Sequence, residues 1–533
     1  MLFVSNRLYK LDKDGNIINI DTNYEKSVKT FAKEVEDNNY GTETNPYQIK
    51  CVEDLVDLSY LVNGITINDN GTFQYNNSYK TFSNQYISLM KDLNFKLELS
   101  YEDSSRKDYG DINGNGEVEE LIIELTTGNG WVCIGGYGST KNTDGISGTI
   151  NGNDKVISNL YINNKNVTNK NGLIGNGSNL EINGLGVRGN IYANSNTLGG
   201  IVGFVSKKVK IEKCYFSGKI ENISTSGRTG GILGHNNANN AFNAYIYNCN
   251  SKGEIKAHNI DNNTSTGGII GYKDGEGKLE IKNSYNEANM QVTSRCGGIL
   301  GQGGGTEIYY CYNTGNITGE NTTGGIVGYT AKIIENCYNT GKISATDHSV
   351  GGIAGSISGG NGRISKCYNN GEIIGGDNAG GILGKIYSAS NLTVEQCYNM
   401  KPVEGSNYIS GIIGCVAGYN ARIISNYNIG EISASGLKDA IERGYSSYTA
   451  TKIVSNCYYL STCGATNNKA TSKTSNELKN ITDLLNKPYT IITDEEGNST
   501  GIEFSTTDEL QDVWKNDENN INDGYPILKW QIE

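Results

Sequence analysis

Four prolines, three histidines and no stretch of eighteen apolar residues in a chain of 533 set the first bounds. Without a long apolar run no helix of this chain spans a membrane. His235, His258 and His348 lie far apart, and no two cysteines keep the Cys-x-x-Cys spacing, so no zinc-type ligand set is present. Basic charge is also short. With 45 Lys and Arg against 57 Asp and Glu, the net charge is −12, and nucleic acid is not an expected partner of a chain lacking a basic field. Glycine, at 70 residues, and asparagine are plentiful, yet strictly spaced apolar residues among them argue against disorder.

That spacing is a repeat. A Gly-Gly-Ile element places isoleucine at Ile201, Ile232, Ile269, Ile299, Ile326, Ile353 and Ile382, with Ser410-Gly411-Ile412 as a weaker copy; the intervals of 31, 37, 30, 27, 27, 29 and 30 residues define a period near thirty. Between these elements Cys214, Cys249, Cys311, Cys337, Cys367 and Cys397 each precede by four residues Gly218, Gly253, Gly315, Gly341, Gly371 or Lys401. Six residues after each comes Ile220, Ile255, Ile317, Ile343, Ile373 or Val403, and two further copies keep the frame with Ser284 and Asn426 in place of the thiol. Apolar positions do not recur at helical spacing, and β-branched residues dominate. Three short apolar runs per copy therefore read as three strands, and copies too small to hold a core alone must stack. The expected fold is all-β: a right-handed parallel β-helix of three-strand coils, with isoleucine and cysteine in inward ladders and the glycine pair at a corner where a Cβ would clash or φ must be positive. Cysteines in register on parallel strands meet good disulfide torsions poorly, so the ladder thiols read as free, buried and small; Cys457 and Cys463 are the one close pair.

The flanks divide the chain into an N-terminal hairpin and linker (1–47), a cap with irregular first coils (48–171), the regular array (172–460) and a C-terminal loop, helix and cap (461–533). Leu8 to Ile20, turning at Asp12 to Asn16, reads as a hairpin, and residues 22–38 carry a weak helical pattern. Leu55, Val56, Leu58, Leu61 and Val62 mark a helix placed to cover the first open coil. Tyr86 to Leu99, Trp131 to Gly136, Gly148 to Gly152 and Val156 to Ile162 read as strands. Leu437 to Arg443 reads as an excursion and 461–475 as a solvated loop, before a helix opening at Ser475 with Leu478, Ile481, Leu484 and Leu485; Trp514 and Tyr525 to Trp530 then supply aromatic bulk to close the end. One loop has ligand chemistry. Asp111, Asn113 and Asn115, with Gly116 and Glu117 following, place oxygens at positions 1, 3 and 5 of a calcium loop, but position 12 is Ile122 rather than a bidentate carboxylate. Calcium held by Asp111, Asn113, Asn115 and Glu117 is one reading and a solvated turn the other; no other cofactor is expected.

Gly172-Leu-Ile-Gly175, the Gly-Gly-Ile-x-Gly series and the Cys-Tyr-Asn-x-Gly-x-Ile halves resemble the GLUG-motif family of bacterial surface and extracellular proteins, as do the flanks Asn45 to Ile49 and Gly524 to Trp530. The resemblance implies a β-helix on, or secreted from, the bacterial cell, adhesin-like and without shared catalytic residues. Met1 to Arg7 is too short an apolar start for a signal peptide. An extracellular or cell-surface location thus implies a longer frame upstream; the other reading keeps the chain inside the cell. The expected role is binding of a glycan, a cell wall or a host surface, not catalysis; a polysaccharide-degrading enzyme and a phage tail or spike component are the alternatives. An enzyme would need paired carboxylates, whereas Glu212, Glu335 and Glu395 fall one per coil. Tyr215, Tyr312, Tyr338, Tyr368 and Tyr398, each following a ladder cysteine, form either a sugar-stacking stripe or corner packing, packing being favoured.

Overall fold

The computed structural model describes residues 2–4, 7–11, 17–20, 31–67, 73–75, 79–95, 130–136, 145–237, 242–258, 264–388, 391–417, 420–444, 451–495, 499–507 and 509–533. The chain forms two compact units, residues 1–254 with 275–277, and 255–274 with 278–533. Each is a parallel β-solenoid.

In the first unit the long strand Ile146–Asn171 runs parallel to Ile174–Gly199, which carries in turn Val202–Val205, Val209–Glu212 and Tyr215–Asn222. The helix Val52–Asn63 lies at the start of this stack, ending at Gly64 in the left-handed conformation. Its Leu55 and Leu58 join Ile87, Leu89, Ile150 and Ile157 in one apolar layer, and Ser59 and Asn63 bond the carbonyls of Val132 and Cys133. The helical N-terminal cap is thus present, with a short helix Phe31–Glu36 beside it. Strands Arg7–Leu11 and Ile17–Ile20 pair antiparallel as the hairpin reading requires, its turn lying outside the described residues. Trp131 to Gly136 departs from expectation. It makes only an isolated bridge at Ile134, because the Trp131 indole is turned inward to bond the Leu173 carbonyl.

In the second unit a representative coil consists of Thr323–Gly324, Val327–Tyr329, Ile333–Glu335, Tyr338–Asn339 and Ile343–Ala345, each in parallel register with its counterpart one coil on. Two of the three expected strands are therefore split. The Gly-Gly corner divides one. The other breaks at the residue before the ladder cysteine, which is left-handed in every coil of this unit, as at Asn283, Tyr310, Asn336, Lys366 and Gln396. Ile299, Ile326, Ile353, Ile382 and Ile412 are fully buried, and successive backbones bond, Ile326 N–H to Ile353 O and Ile353 N–H to Ile382 O.

An asparagine ladder accompanies the isoleucines. Asn286, Asn313, Asn339, Asn369 and Asn399 each donate through Nδ2 to the Oδ1 of the next, ending at Asn428, over 2.8–2.9 Å. The same amides also bond a carbonyl two residues on, as Asn339 does to Gly341 at 2.8 Å. Close packing between coils explains the glycine pair. A Cβ on Gly325 would meet the Gly352 carbonyl at 2.1 Å and the Asn339 side chain at 2.7 Å, and its φ is not positive, so close approach rather than backbone conformation requires glycine.

Leu437 to Arg443 is not an excursion. Lys438–Asp439 and Glu442–Gly444 pair with Asn407–Ser410 and Ile413–Val416, and Ile441 O accepts from Ile412 and Ile413, so Ala440-Ile441 is one more copy of Gly-Gly-Ile. Alanine stands there in place of glycine in the coil where the asparagine ladder has ended, the partner of Asn428 being Tyr459. Residues 461–475 are likewise not a free loop. Cys463 O and Thr466 O accept from Ile432 and Ala440, and Thr471–Lys473 pairs with Tyr458–Leu460, which closes the last coil.

Replacing Asn339 by alanine removes three hydrogen bonds from the core, those to Asn369 and Gly341 and that from Asn313, and with them the continuity of the ladder; the Asn313 amide keeps only Gly315, and Asn369 Oδ1 only the Gly371 N–H. The expected loss is about 3 kcal/mol or more in denaturant unfolding, against about 0.5 kcal/mol or less for Thr318→Ala on the wet face. Equal effects would deny the ladder its role.

Candidate functional site

Three outward features of the second unit carry chemistry. The first is charged. Lys278 reaches Glu280 at 2.9 Å and Glu307 at 2.8 Å, and farther along Arg363 reaches Glu395 at 2.6 Å and Glu335 at 4.0 Å, with Lys366 on Glu335 at 2.8 Å. The Tyr489 hydroxyl also bonds Glu395. Against the upward push of burial, hydrogen bonds from Lys278 and Tyr309 hold the Glu307 carboxyl below its ordinary value. Glu335 and Glu395, offered by the sequence as one acid per coil, are thus ion-paired across coils; Glu212 in the first unit pairs Lys210 at 2.7 Å.

The second feature is a tyrosine column. Tyr285, Tyr312, Tyr338, Tyr368, Tyr398 and Tyr427 stack with centroids 4.7–5.1 Å apart and planes within 11°. A sugar stacks on a ring face, but here each face inside the column is taken by the next ring, which decides for packing. Burial deepens along it. Tyr398 and Tyr427 are fully covered and their hydroxyls are pushed well above the usual range by that burial. The cover comes from the C-terminal residues: Leu478, Ile481, Leu485, Trp514, Tyr525 and Leu528 form one apolar cluster with Tyr398, Tyr427 and Tyr458. The aromatic bulk assigned to end closure lies instead along the column. Ser475 opens the helix Ser475–Leu478, but Thr474 caps it, in a capping box with Glu477.

The third feature is a wet sheet face. Gln291, Thr318, Ser344, Ile374, Glu404 and Ser433 follow one another in register, alternating with buried Met290, Ile317, Ile343, Ile373, Val403 and Ile432. Beside this row Asn289 accepts from the Asn316 N–H and Asn316 from the Lys342 N–H, both at 3.0 Å.

The ladder thiols lie inside, where the sequence put them. All twelve cysteines are free, and all but Cys51 are buried. Cys337 Sγ donates to Glu335 O at 3.3 Å and Cys397 Sγ to Glu395 O at 3.1 Å. Ser284 makes the same bond, to Lys282 O at 2.9 Å, and Asn426 bonds Val394 O, so any small donor fills the position. Burial raises the Cys337 and Cys397 thiols well above their ordinary value and that of Cys457 to about 11. The last coil holds an acid that sequence reasoning missed. Glu442 sits opposite Ile413, on a core ladder that carries Val327, Ala354 and Leu383 in earlier coils, and is 4% exposed with Lys452 at 3.5 Å. Burial raises its carboxyl pKa. The aliphatic rows one coil back are the signal that could have found it. Among the described residues no three His, Cys, Asp or Glu side chains converge as metal ligands, and no helix is long and apolar enough to cross a membrane. Asp111, Asn113, Asn115 and Glu117 lie outside the described residues.

Two outcomes follow from these pKa directions. Because the other cysteines are buried, and the thiolates of Cys337, Cys397 and Cys457 are disfavoured by that burial, a disulfide reagent at mildly alkaline pH should label Cys51 in the native protein and the rest only after unfolding; rapid native labelling of the ladder refutes it. Glu442, with its folded pKa raised above 4.5, contributes fully below that pH and costs stability as pH rises through the folded value. Glu442→Leu should therefore raise the melting temperature at neutral pH by about 2–4 °C and do less near pH 4. A lower neutral melting temperature would show that Lys452 more than compensates the buried charge.

Among curated proteins none matches the chain. Among solved structures, a Bacteroides ovatus protein described as a "putative immunoglobulin A1 protease" aligns over 92% of this chain and 94% of its own, at 18% identity and a TM-score of 0.31. Residues 319–344, from Gly319 through the Gly-Gly-Ile corner and Cys337-Tyr-Asn to Ser344, match the family model of the GLUG motif, so this copy of the repeat carries a GLUG motif.

Proposed function

We propose that this chain is a non-catalytic scaffold of the cell surface or extracellular space that binds a repetitive partner: a glycan, a cell wall or a host surface. The observation that carries it is the wet face. Gln291, Thr318 and Ser344, and beyond the apolar Ile374 also Glu404 and Ser433, present amide, hydroxyl and carboxylate groups on strands about 4.8 Å apart in one sheet. Weak equivalent contacts repeated along a rigid lattice sum to avidity for a partner that is itself repetitive. The alternative, a polysaccharide-degrading enzyme, needs carboxylates whose environments separate their pKa values in a shared cleft. Glu335 and Glu395 instead share Arg363, so that each is engaged in an ion pair across coils.

Purified protein incubated with bacterial and host polysaccharides is expected to retain them in pull-down without releasing product. Replacing Thr318 and Ser344 together by bulky charged residues should weaken retention about tenfold at unchanged melting temperature. Turnover abolished by Glu395→Gln would replace this reading with the enzymatic one.

A further inference from the structure

The tyrosine column is a single repeated surface of which only one part is covered. Trp530 shows what that surface accepts. Its ring lies 6.2 Å from Tyr338 and 5.8 Å from Tyr368, tilted 31° to both, and its Nε1 donates to the Lys366 carbonyl at 3.0 Å. Lys366 is the left-handed corner residue two positions before Tyr368. The seat therefore consists of two successive tyrosine edges and the corner carbonyl beside the second. Every part recurs farther along the column. Tyr285 and Tyr312 are stacked 4.7 Å apart, and Tyr310, left-handed at φ 53°, stands two positions before Tyr312 as Lys366 stands before Tyr368. Among the described residues no ring of the C-terminal segment reaches Tyr285 or Tyr312. Both stay half-buried, and the Tyr310 ring, 50% exposed, meets Trp530 edge-on at 6.5 Å while its carbonyl lies beside Tyr312.

We infer that Tyr285, Tyr312 and the Tyr310 carbonyl form a second indole seat, which receives a tryptophan-bearing segment of another polypeptide. The surface is continuous with the seat Trp530 already fills, and its chemistry is the same: two phenol edges to pack an indole and one peptide oxygen to take its N–H. Tryptophan is suited to such a half-wet corner, since it buries a large ring while its N–H keeps a partner. This site lies apart from the wet face proposed to bind glycans, and neither reading depends on the other.

The test uses the full chain and a labelled ten-residue peptide copying Gly524 to Glu533, followed by fluorescence anisotropy. Saturable binding is expected, about tenfold weaker for Tyr312→Ala or for a peptide with alanine at its tryptophan, and unchanged for Tyr312→Phe and Ser344→Ala. No saturation up to millimolar peptide, or binding indifferent to Tyr312→Ala, overturns the inference; the second result would mean that the peptide exchanges with Trp530 itself. Binding of a neutral oligosaccharide lost in Tyr312→Ala, with none of the peptide, would overturn it in favour of a carbohydrate. If Tyr312→Ala does not fold, photo-cross-linking from the peptide tryptophan position decides: attachment at Tyr310 to Tyr312 supports the seat, attachment elsewhere ends it.

Discussion

The second unit depends on one constraint: each residue must be able to lie directly on its own kind. Aliphatic side chains meet it by dispersion and exclusion of water. A polar side chain inside a coil meets it only if it is both donor and acceptor, so that the bond it makes upward is the bond its copy receives. Asparagine is such a group. The row from Asn286 to Asn428 satisfies its own amides and the carbonyls of the turn at once, where an unmatched amide would carry the full cost of desolvation. Glycine at the facing corner follows, because the carbonyl of the next coil and the asparagine side chain together occupy the space a methyl group would need. The ladder cysteines meet the constraint less strictly. Their thiols bond a carbonyl of their own coil, a bond serine repeats, while asparagine at Asn426 bonds Val394 O of the coil before.

Much of this was legible. Gly-Gly-Ile and the cysteine offset gave the coil, its period and the burial of its isoleucines, since sequence spacing is spatial spacing when coils stack. What escaped was whatever a residue's type disguised. The inward asparagines looked like turn formers, because asparagine does favour turns and nothing in a single copy says which way its side chain points. Ala440-Ile441 was passed over for lacking glycine, although its backbone continues the corner of the earlier coils. Residues 461–475, polar and apparently solvated, work through backbone carbonyls that no side-chain pattern can announce. Trp131 broke its expected strand by turning its indole inward.

The candidate surfaces were harder to see, and the reason is geometric. Sequence shows that tyrosine follows cysteine in each copy; it does not show that the rings then stack face on face and present only their edges. Nor does it show that a segment more than a hundred residues downstream lies across them, tying Trp530 to Lys366 and Gln531 to Tyr398. The acids were visible one per coil, but their pairing is diagonal: Arg363 serves the coil before it and the coil after.

The asparagine ladder has a corollary for how such a chain can change length. Each amide gives to the next coil the same bond it receives from the previous one, so the ladder cannot tell which copy it is bonded to. Excise the coil containing Asn339, and Asn313 finds in Asn369 the oxygen it had lost, while the isoleucines close up in the same register. A stack ordered this way is indifferent to copy number. Recombination between repeats can lengthen or shorten it by whole coils at a single joint, leaving no orphaned polar group behind.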